Sequence, residues 1–164
     1  MIRTWTPESE APAPRDGPDY RTVKEWFQQC RTLAAAVDAQ REKIQRIRDV
    51  AGKCTQNLSG LPGGSGGDKV GFAVEQLDTE ERELRRMETR LCNLRIEATR
   101  RACSISSNPE CAEAICEFYV NRKTQEQIAR TSGVFDRTVI HNRINRGCRM
   151  LTEIWGDFDK IEQK

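Results

Sequence analysis

A glycine-rich run divides the first two thirds of this chain into two stretches with a seven-residue apolar repeat. The run, GLPGGSGG at residues 60–67, contains five glycines and one proline. Glycine and proline both destabilise a helix interior, so a helix on either side cannot continue through this run. We therefore predict a turn or mobile loop over residues 52–67 between two separate helices.

The stretch before the loop has the apolar spacing of a helix that packs along one partner. This helix is predicted to begin between Asp19 and Thr22, because Thr22 and Glu25 can form a capping box, and to end near Ala51. A heptad seam of this kind is stable only when another helix covers it. The predicted seam consists of Val23, Cys30, Val37, Ile44 and Ala51 at the a positions and Trp26, Leu33, Gln40 and Ile47 at the d positions.

The stretch after the loop repeats the pattern. Asp68 can cap a helix that runs from about Lys69 to Ile105. Arg95, Arg100 and Arg101 near its far end could touch a DNA backbone if the helix leaned on a duplex, although the sequence does not fix that angle. The predicted seam consists of Val70, Leu77, Leu84, Leu91, Ala98 and Ile105 at the a positions and Ala73, Glu80, Met87, Leu94 and Arg101 at the d positions.

Two heptad helices joined by a flexible turn are expected to form an antiparallel coiled-coil hairpin over residues 19–105. Pairing the helix ends next to the turn puts Gln40 opposite Glu80 or Glu81. We predict that these polar layers hydrogen-bond and set the alignment of the two helices, as buried polar residues do in other coiled coils.

Composition favours elongated helices over a large compact domain. Of the 164 residues, 37% are apolar, 32% charged and 6% aromatic, and the mean hydropathy is −0.73. These values predict an all-α fold and disfavour an extensive sheet. The formal net charge of +2 does not by itself indicate nucleic-acid binding, but seven basic residues stand against two acidic ones between Val120 and Leu151.

The basic segment has the pattern of a helix-turn-helix. A supporting helix is predicted from Pro109 to about Asn121, with Asn108 as its cap. In the short helix that follows, Thr124 and Gln127 can form a capping box. Gly133 then allows a sharp turn, because glycine adopts the left-handed conformation at low cost.

This small domain is predicted to span residues 109–158. Its last helix is the predicted DNA reader. Asp136 is its predicted cap, and Ile140, Ile144 and Leu151 have the spacing of one buried stripe. The opposite face is polar and basic, and such side chains hydrogen-bond base edges and phosphate oxygens. The residues predicted to contact double-stranded DNA are Lys123, Arg137, Thr138, His141, Asn142, Asn145, Arg146 and Arg149.

Other kinds of site find little support. Seven cysteines without a C-x-x-C pair and a single histidine disfavour a metal site, no residue set resembles a catalytic centre, and no cofactor motif is present. The odd cysteine count predicts a reducing, cytoplasmic location, and no run is apolar enough to span a membrane. Gly156 is predicted to stop the last helix, and residues 1–18, which include Trp5, and 159–164 are expected to be tails.

The segment from Glu117 to Leu151 resembles region 4 of sigma-70-type factors. The matching residues are Thr124, Gln127, Ile128, Ala129, Gly133 and Val134. A second resemblance lies upstream, to a phage family that joins a similar loop to a sigma-like helix-turn-helix, the ArpU-like and RinA-like late transcription regulators. The loop residues that carry it are Ser59, Gly60, Pro62, Gly64, Ser65, Asp68, Lys69, Val70 and Gly71.

The resemblance covers roughly residues 23–151 and implies a phage or prophage DNA-binding transcription regulator. One departure is Phe135, an extra residue between the Gly-Val pair and the reader helix, which moves the predicted helix start to Asp136. The resemblance then places Arg137, Thr138, His141 and Asn142 at the major groove and Asn145 and Arg146 toward phosphates.

Two other functions remain open at this point. The hairpin is expected to supply either a homo-oligomer interface or a surface for RNA polymerase, so the chain could instead be a coiled-coil structural or assembly adaptor. A phage DNA-packaging recognition subunit ranks third, because those proteins more often carry the DNA-binding unit before the oligomerising helices. An enzyme is not expected.

Overall fold

A computed structural model of the protein describes residues 19–56 and 67–162, without the side chains of residues 54–56, 67–70 and 159–162. Within these residues every regular element is helical, which confirms the all-α prediction. The predicted tail at residues 1–18 and the run at 57–66 lie outside the described residues. The elements are α1 (Tyr20–Gln56), α2 (Gly67–Cys103), α3 (Pro109–Ile115), a π-helical turn (Cys116–Val120), α4 (Gln125–Thr131) and α5 (Arg137–Glu162).

Two helices extend past glycines that were predicted to end them. The first helix, α1, continues through Gly52 to Gln56, and α5 continues through Gly156 into residues predicted to be a tail. A single glycine costs a helix about 1 kcal/mol, which packing on either side can offset. In α5 the offset is visible, because Phe158 lies beyond the glycine and is buried in the core.

Polar contacts fix the alignment of α1 against α2. Gln40 Nε2 donates to the Glu80 carboxylate at 2.7 Å and to the Glu80 main-chain carbonyl at 3.2 Å, which confirms the predicted layer. Hydrogen bonds from Lys43 and Gln40 hold the pKa of Glu80 below its ordinary value. Arg41 pairs with Glu88, and Arg48, seven residues later on α1, pairs with Glu81, seven residues earlier on α2, so the two helices run antiparallel.

The buried stripe of α1 is wider than a heptad seam. Phe27 and Ala34 are buried although they are not a or d residues, whereas Trp26 and Leu33, predicted at d, are only partly buried. The N-terminal half of α1 packs against α2 on one side and against the π-helical turn and α5 on the other. Two partners require a broader apolar face than one, so the single-seam prediction was wrong for this half.

Arg101 of α2 is buried in an aromatic cage. Its side chain is 4% exposed, and its guanidinium carbon lies 4.4 Å from the centre of the Trp26 ring and 4.7 Å from that of Trp155. Phe158 completes the cage at 5.1 Å, and Glu97 accepts a hydrogen bond from Arg101 Nε at 2.6 Å. The proposed DNA contact of Arg101 was therefore wrong: its charge is used inside the protein, where it joins α1, α2 and α5.

Two other arginines hold the turn before α4 against α1. Arg31 Nη1 donates to the Phe118 carbonyl at 2.5 Å and stacks over the Phe118 ring at 4.4 Å. Arg122 has a φ of +61°, a conformation that costs a residue with a side chain about 1–3 kcal/mol, and its guanidinium pairs with Asp38 at 2.5 Å. The chain thus leaves the π-helical turn in a direction fixed by α1.

Gly147 sits where α5 crosses α3. A methyl group at this position would lie 2.7 Å from Ile115 Cδ1 and 3.2 Å from Cys111 Cβ, so the contact has no room for a side chain. Arg143, one helical turn earlier on α5, pairs with Glu110 of α3 at 2.6 Å. These contacts determine how closely α5 packs against α3 in the small domain.

Gly147→Ala is expected to lower the free energy of unfolding by about 1–3 kcal/mol, because the added methyl group overpacks the α3–α5 contact. Gly156→Ala is the matched control in the same helix. Its methyl group would meet no atom within 4 Å, so better helix propensity should raise the stability by up to about 1 kcal/mol. Urea unfolding of both variants tests this, and effects of equal sign would contradict the close packing at Gly147.

Glu97→Gln is expected to destabilise the protein in a pH-dependent way. Hydrogen bonds from Arg100 and Arg101 lower the pKa of Glu97 from 4.5 to about 2. Because the folded-state pKa lies below the unfolded value, the stabilisation is complete above pH 4.5 and is lost as the pH falls toward 2. The difference in unfolding free energy between wild type and variant should therefore shrink over that range.

Glu113→Gln provides the control, because Glu113 is exposed on α3 and makes no ion pair within the described part of the chain. Its effect should be small at every pH. A difference between wild type and Glu97→Gln that stayed constant from neutral pH to pH 2 would show that the Glu97 charge does not stabilise the cage.

Candidate nucleic-acid interface

The turn between α4 and α5 is built from local hydrogen bonds that the sequence predicted. Thr124 and Gln127 form the capping box at the start of α4, in which each side chain bonds the other residue's backbone N–H. Gly133 has a φ of +66°, and Val134 N–H donates to the Ala129 carbonyl at 2.9 Å, which closes the end of α4 as a Schellman motif. The direction of α5 relative to α4 follows from this turn.

Asp136 caps α5, as predicted. Its carboxylate accepts a hydrogen bond of 2.7 Å from the backbone N–H of Thr138, and the helix begins at Arg137. This bond, together with one from the Thr138 side chain, holds the pKa of Asp136 below its ordinary value. Phe135 is therefore outside the helix, where its ring is fully exposed.

A buried stripe holds α5 in the small domain and leaves the opposite face outward. Ile140, Ile144, Cys148 and Leu151 are almost fully buried, as predicted from their spacing. The outer face of α5 consists of Arg137, Thr138, His141, Asn142, Asn145, Arg146 and Arg149, all of them exposed except the partly buried Asn145. The structure thus brings seven of the eight predicted contact residues onto one helix face.

The polar residues of the outer face differ in how many hydrogen bonds they already make within the protein. Asn142 makes no side-chain hydrogen bond within the described residues, so all its donors and acceptors are open to solvent. His141 Nδ1 lies 3.5 Å from Gln125 Nε2 of α4, a weak contact. Thr138 uses its backbone N–H to bond Asp136 at the helix cap.

Asn145 is anchored by a residue of α1. Lys24 Nζ donates to Asn145 Oδ1 at 3.0 Å. Because an ammonium group can only donate, the amide oxygen must face Lys24, and the two N–H donors of Asn145 point elsewhere. An amide held in this orientation is suited to donate to a phosphate oxygen.

Lys123 is the one predicted contact that lies apart from the outer face. It precedes α4, is partly buried, and its ammonium group forms an ion pair with Glu117. The hydrogen bond from Lys123 lowers the pKa of Glu117, so the carboxylate stays charged at neutral pH and neutralises the lysine. Lys123 therefore has less charge to offer an anion than the arginines of α5.

Ion pairing separates the arginines of the outer face from most cations of the hairpin. Arg137, Arg146 and Arg149 have no carboxylate partner within the described residues. Seven cations of the hairpin also lack one within the part of the chain that the structure describes, and they are spread along α1 and α2: Arg21, Lys24, Arg31, Arg46, Lys53, Arg90 and Arg95. The cations that do pair with carboxylates on α1 and α2 are Arg41, Lys43, Arg48, Arg82, Arg85, Arg86, Arg100 and Arg101.

The cysteines of the small domain are core residues. Burial raises the pKa of Cys148 to about 12 and that of Cys116 to about 11, so both remain thiols at neutral pH. Among the described residues, no group of three or more His, Cys, Asp or Glu side chains is placed to hold a metal ion. None of the helices described is both long and apolar enough to cross a membrane.

Two residues beside the outer face were not singled out from the sequence. Lys24 bonds Asn145, and Tyr20 lies with its ring centre 5.5 Å from both Lys24 Nζ and Arg149 Cζ. Both residues belong to the first turn of α1, more than a hundred positions away in the chain. No local pattern marks them, because only tertiary packing brings α1 to α5.

No protein-family model, curated protein or solved structure matches this chain. The resemblance to sigma-70 region 4 and to phage late regulators thus remains a prediction from the motif residues alone.

Asp136→Ala is expected to lower the free energy of unfolding by about 1 kcal/mol, because the first turn of α5 loses the acceptor for the Thr138 N–H. Asp136→Ser is the matched control, since serine also caps helices well, and it should retain most of the stability. Urea unfolding measures both. Equal destabilisation by Ala and Ser would contradict the capping role of Asp136.

Proposed function

We propose that this chain is a sequence-specific DNA-binding transcription regulator, encoded by a phage or prophage. In this proposal α4 and α5 form a helix-turn-helix of the sigma region 4 type, and the outer face of α5 enters the major groove. The observation that carries the proposal is a row of exposed arginines on a capped helix, interleaved with amides and without carboxylate partners in residues 19–56 and 67–162.

The arginines of this face, unpaired within the part of the chain described, suit a partner that brings its own negative charge, as the phosphates of DNA do. An arginine that is already paired must give up its carboxylate before it can bind a phosphate, whereas Arg146 and Arg149 have no carboxylate partner among the described residues. Asn142, with both halves of its amide open, can pair with an adenine edge in the major groove. Arg146, one helical turn beyond Asn142, can bind a phosphate beside such a contact.

The decisive experiment is selection of bound sequences from random duplex DNA, followed by binding measurements on the selected site. Asn142→Ala should lose about 1–3 kcal/mol of discrimination at one base pair. Arg146→Ala should weaken binding to every sequence alike and reduce the slope of log affinity against log salt by about 1.

Arg90→Ala is the control for lost charge, because Arg90 is exposed on α2 and has no carboxylate partner within the described residues. Its affinity for DNA should match that of wild type. If the wild-type chain enriches no sequence even at low salt, the DNA-binding proposal is wrong.

A structural adaptor is the second candidate, and one observation favours it. Val50, Phe72 and Val74 are each more than half exposed at the end of the hairpin farthest from α5. Apolar side chains in such a position suit a protein partner, which could be a second copy of the chain or RNA polymerase. Failure of DNA selection together with a concentration-dependent oligomer in analytical ultracentrifugation would favour this candidate.

A further inference from the structure

The first turn of α1 places a second basic group beside the outer face of α5. Lys24 is partly buried, bonds Asn145 at 3.0 Å and has no carboxylate partner within the described residues. Arg149, one helical turn beyond Asn145, likewise has no carboxylate partner in the described part of the chain. A partly buried cation without a carboxylate partner has lost part of its hydration. Binding of an anion would offset this free-energy cost.

Tyr20 holds the two cations around one ring. Lys24 Nζ and Arg149 Cζ each lie 5.5 Å from the centre of the Tyr20 ring, within the distance at which a cation is attracted to an aromatic face. Two like charges near one another repel, and the shared ring offsets part of this repulsion. Phosphate groups bound to the two cations would offset much more, because each phosphate of DNA carries one full negative charge.

We propose that Lys24 and Arg149 bind adjacent phosphates of duplex DNA, so that the hairpin itself forms part of the DNA interface. This inference rests on the proposed function. Asn145 belongs to the same cluster, since its oxygen is held by Lys24 and its two N–H donors remain for a phosphate oxygen. Arg21, exposed on the same turn and also without a carboxylate partner in the described chain, widens the basic surface.

The arrangement assigns the cluster to the DNA backbone. Lys24 offers one point charge and no acceptor, and such a group positions a protein on DNA without reading its sequence. The reading of bases would remain with Asn142 and its neighbours near the start of α5. The hairpin would then act as a fixed arm that sets the register of the reader helix.

The test compares the salt dependence of binding to a fluorescently labelled duplex of random sequence and to the selected site. Each neutralised phosphate contributes about 0.9 to the slope of log affinity against log salt. Lys24→Gln should therefore reduce the slope by about 0.9 and weaken binding to both duplexes by the same factor. Lys24→Arg keeps the charge and should keep the wild-type slope.

Arg46→Gln is the matched control on the same helix, because Arg46 is exposed, lacks a carboxylate partner in the described residues and lies several turns from Lys24. It removes the same charge and should leave the slope unchanged. If the wild-type protein binds DNA but Lys24→Gln shows an unchanged slope or tighter binding, the proposed hairpin contact is wrong. The DNA-binding proposal would not be affected by that result. A weaker affinity for the selected site only would make Lys24 a positioning residue for the reader and would also overturn the hairpin contact.

The two failures can be told apart. If wild type binds neither duplex, the proposed function falls and this inference falls with it. If wild type binds both duplexes with a steep salt dependence and Lys24→Gln binds them with the wild-type slope, the regulator proposal survives without the hairpin contact.

Discussion

The burial of Arg101 is the constraint on which the arrangement of the helices depends. A guanidinium cannot be withdrawn from water without partners, and Arg101 finds them in the Glu97 carboxylate and in the rings of Trp26, Trp155 and Phe158. These residues come from α1, α2 and α5. The cage is therefore complete only when all three helices take their places together, and it fixes the last helix against the hairpin.

Ion pairs also engage many of the charged side chains in the rest of the molecule. Carboxylates on the hairpin are mostly engaged with arginines and lysines of the hairpin, as in the pair between Arg41 and Glu88. In the small domain, Glu110 pairs with Arg143 and Glu117 pairs with Lys123, so neither carboxylate lies against the arginines of the outer face. A chain with a net charge of only +2 can thus present a locally basic helix face, because its negative charges are placed elsewhere.

The junction between hairpin and small domain gives the proposed interface its geometry. Arg31 and Arg122 hold the turn before α4 onto α1, and Lys24 holds Asn145 of α5. A strained backbone at Arg122 is tolerated because the ion pair with Asp38 and the packing of Tyr119 over-determine it. Under the proposed function, a rigid junction of this kind would transmit any contact made by the hairpin to the orientation of the reader helix.

The sequence alone determined the features that depend on neighbours in the chain. The caps at Thr124 and Asp136, the left-handed Gly133 and the buried stripe of α5 are local, because each needs only residues a few positions apart. The Gln40 layer was also predictable, since helical periodicity and a single chain reversal leave few registers. Tertiary structure decided the rest: whether Arg101 faces solvent or a cage, where α1 widens its apolar face, and which residue orients Asn145. These outcomes depend on side chains distant in sequence, whose approach is set by how three helices pack and by where their charges can be satisfied.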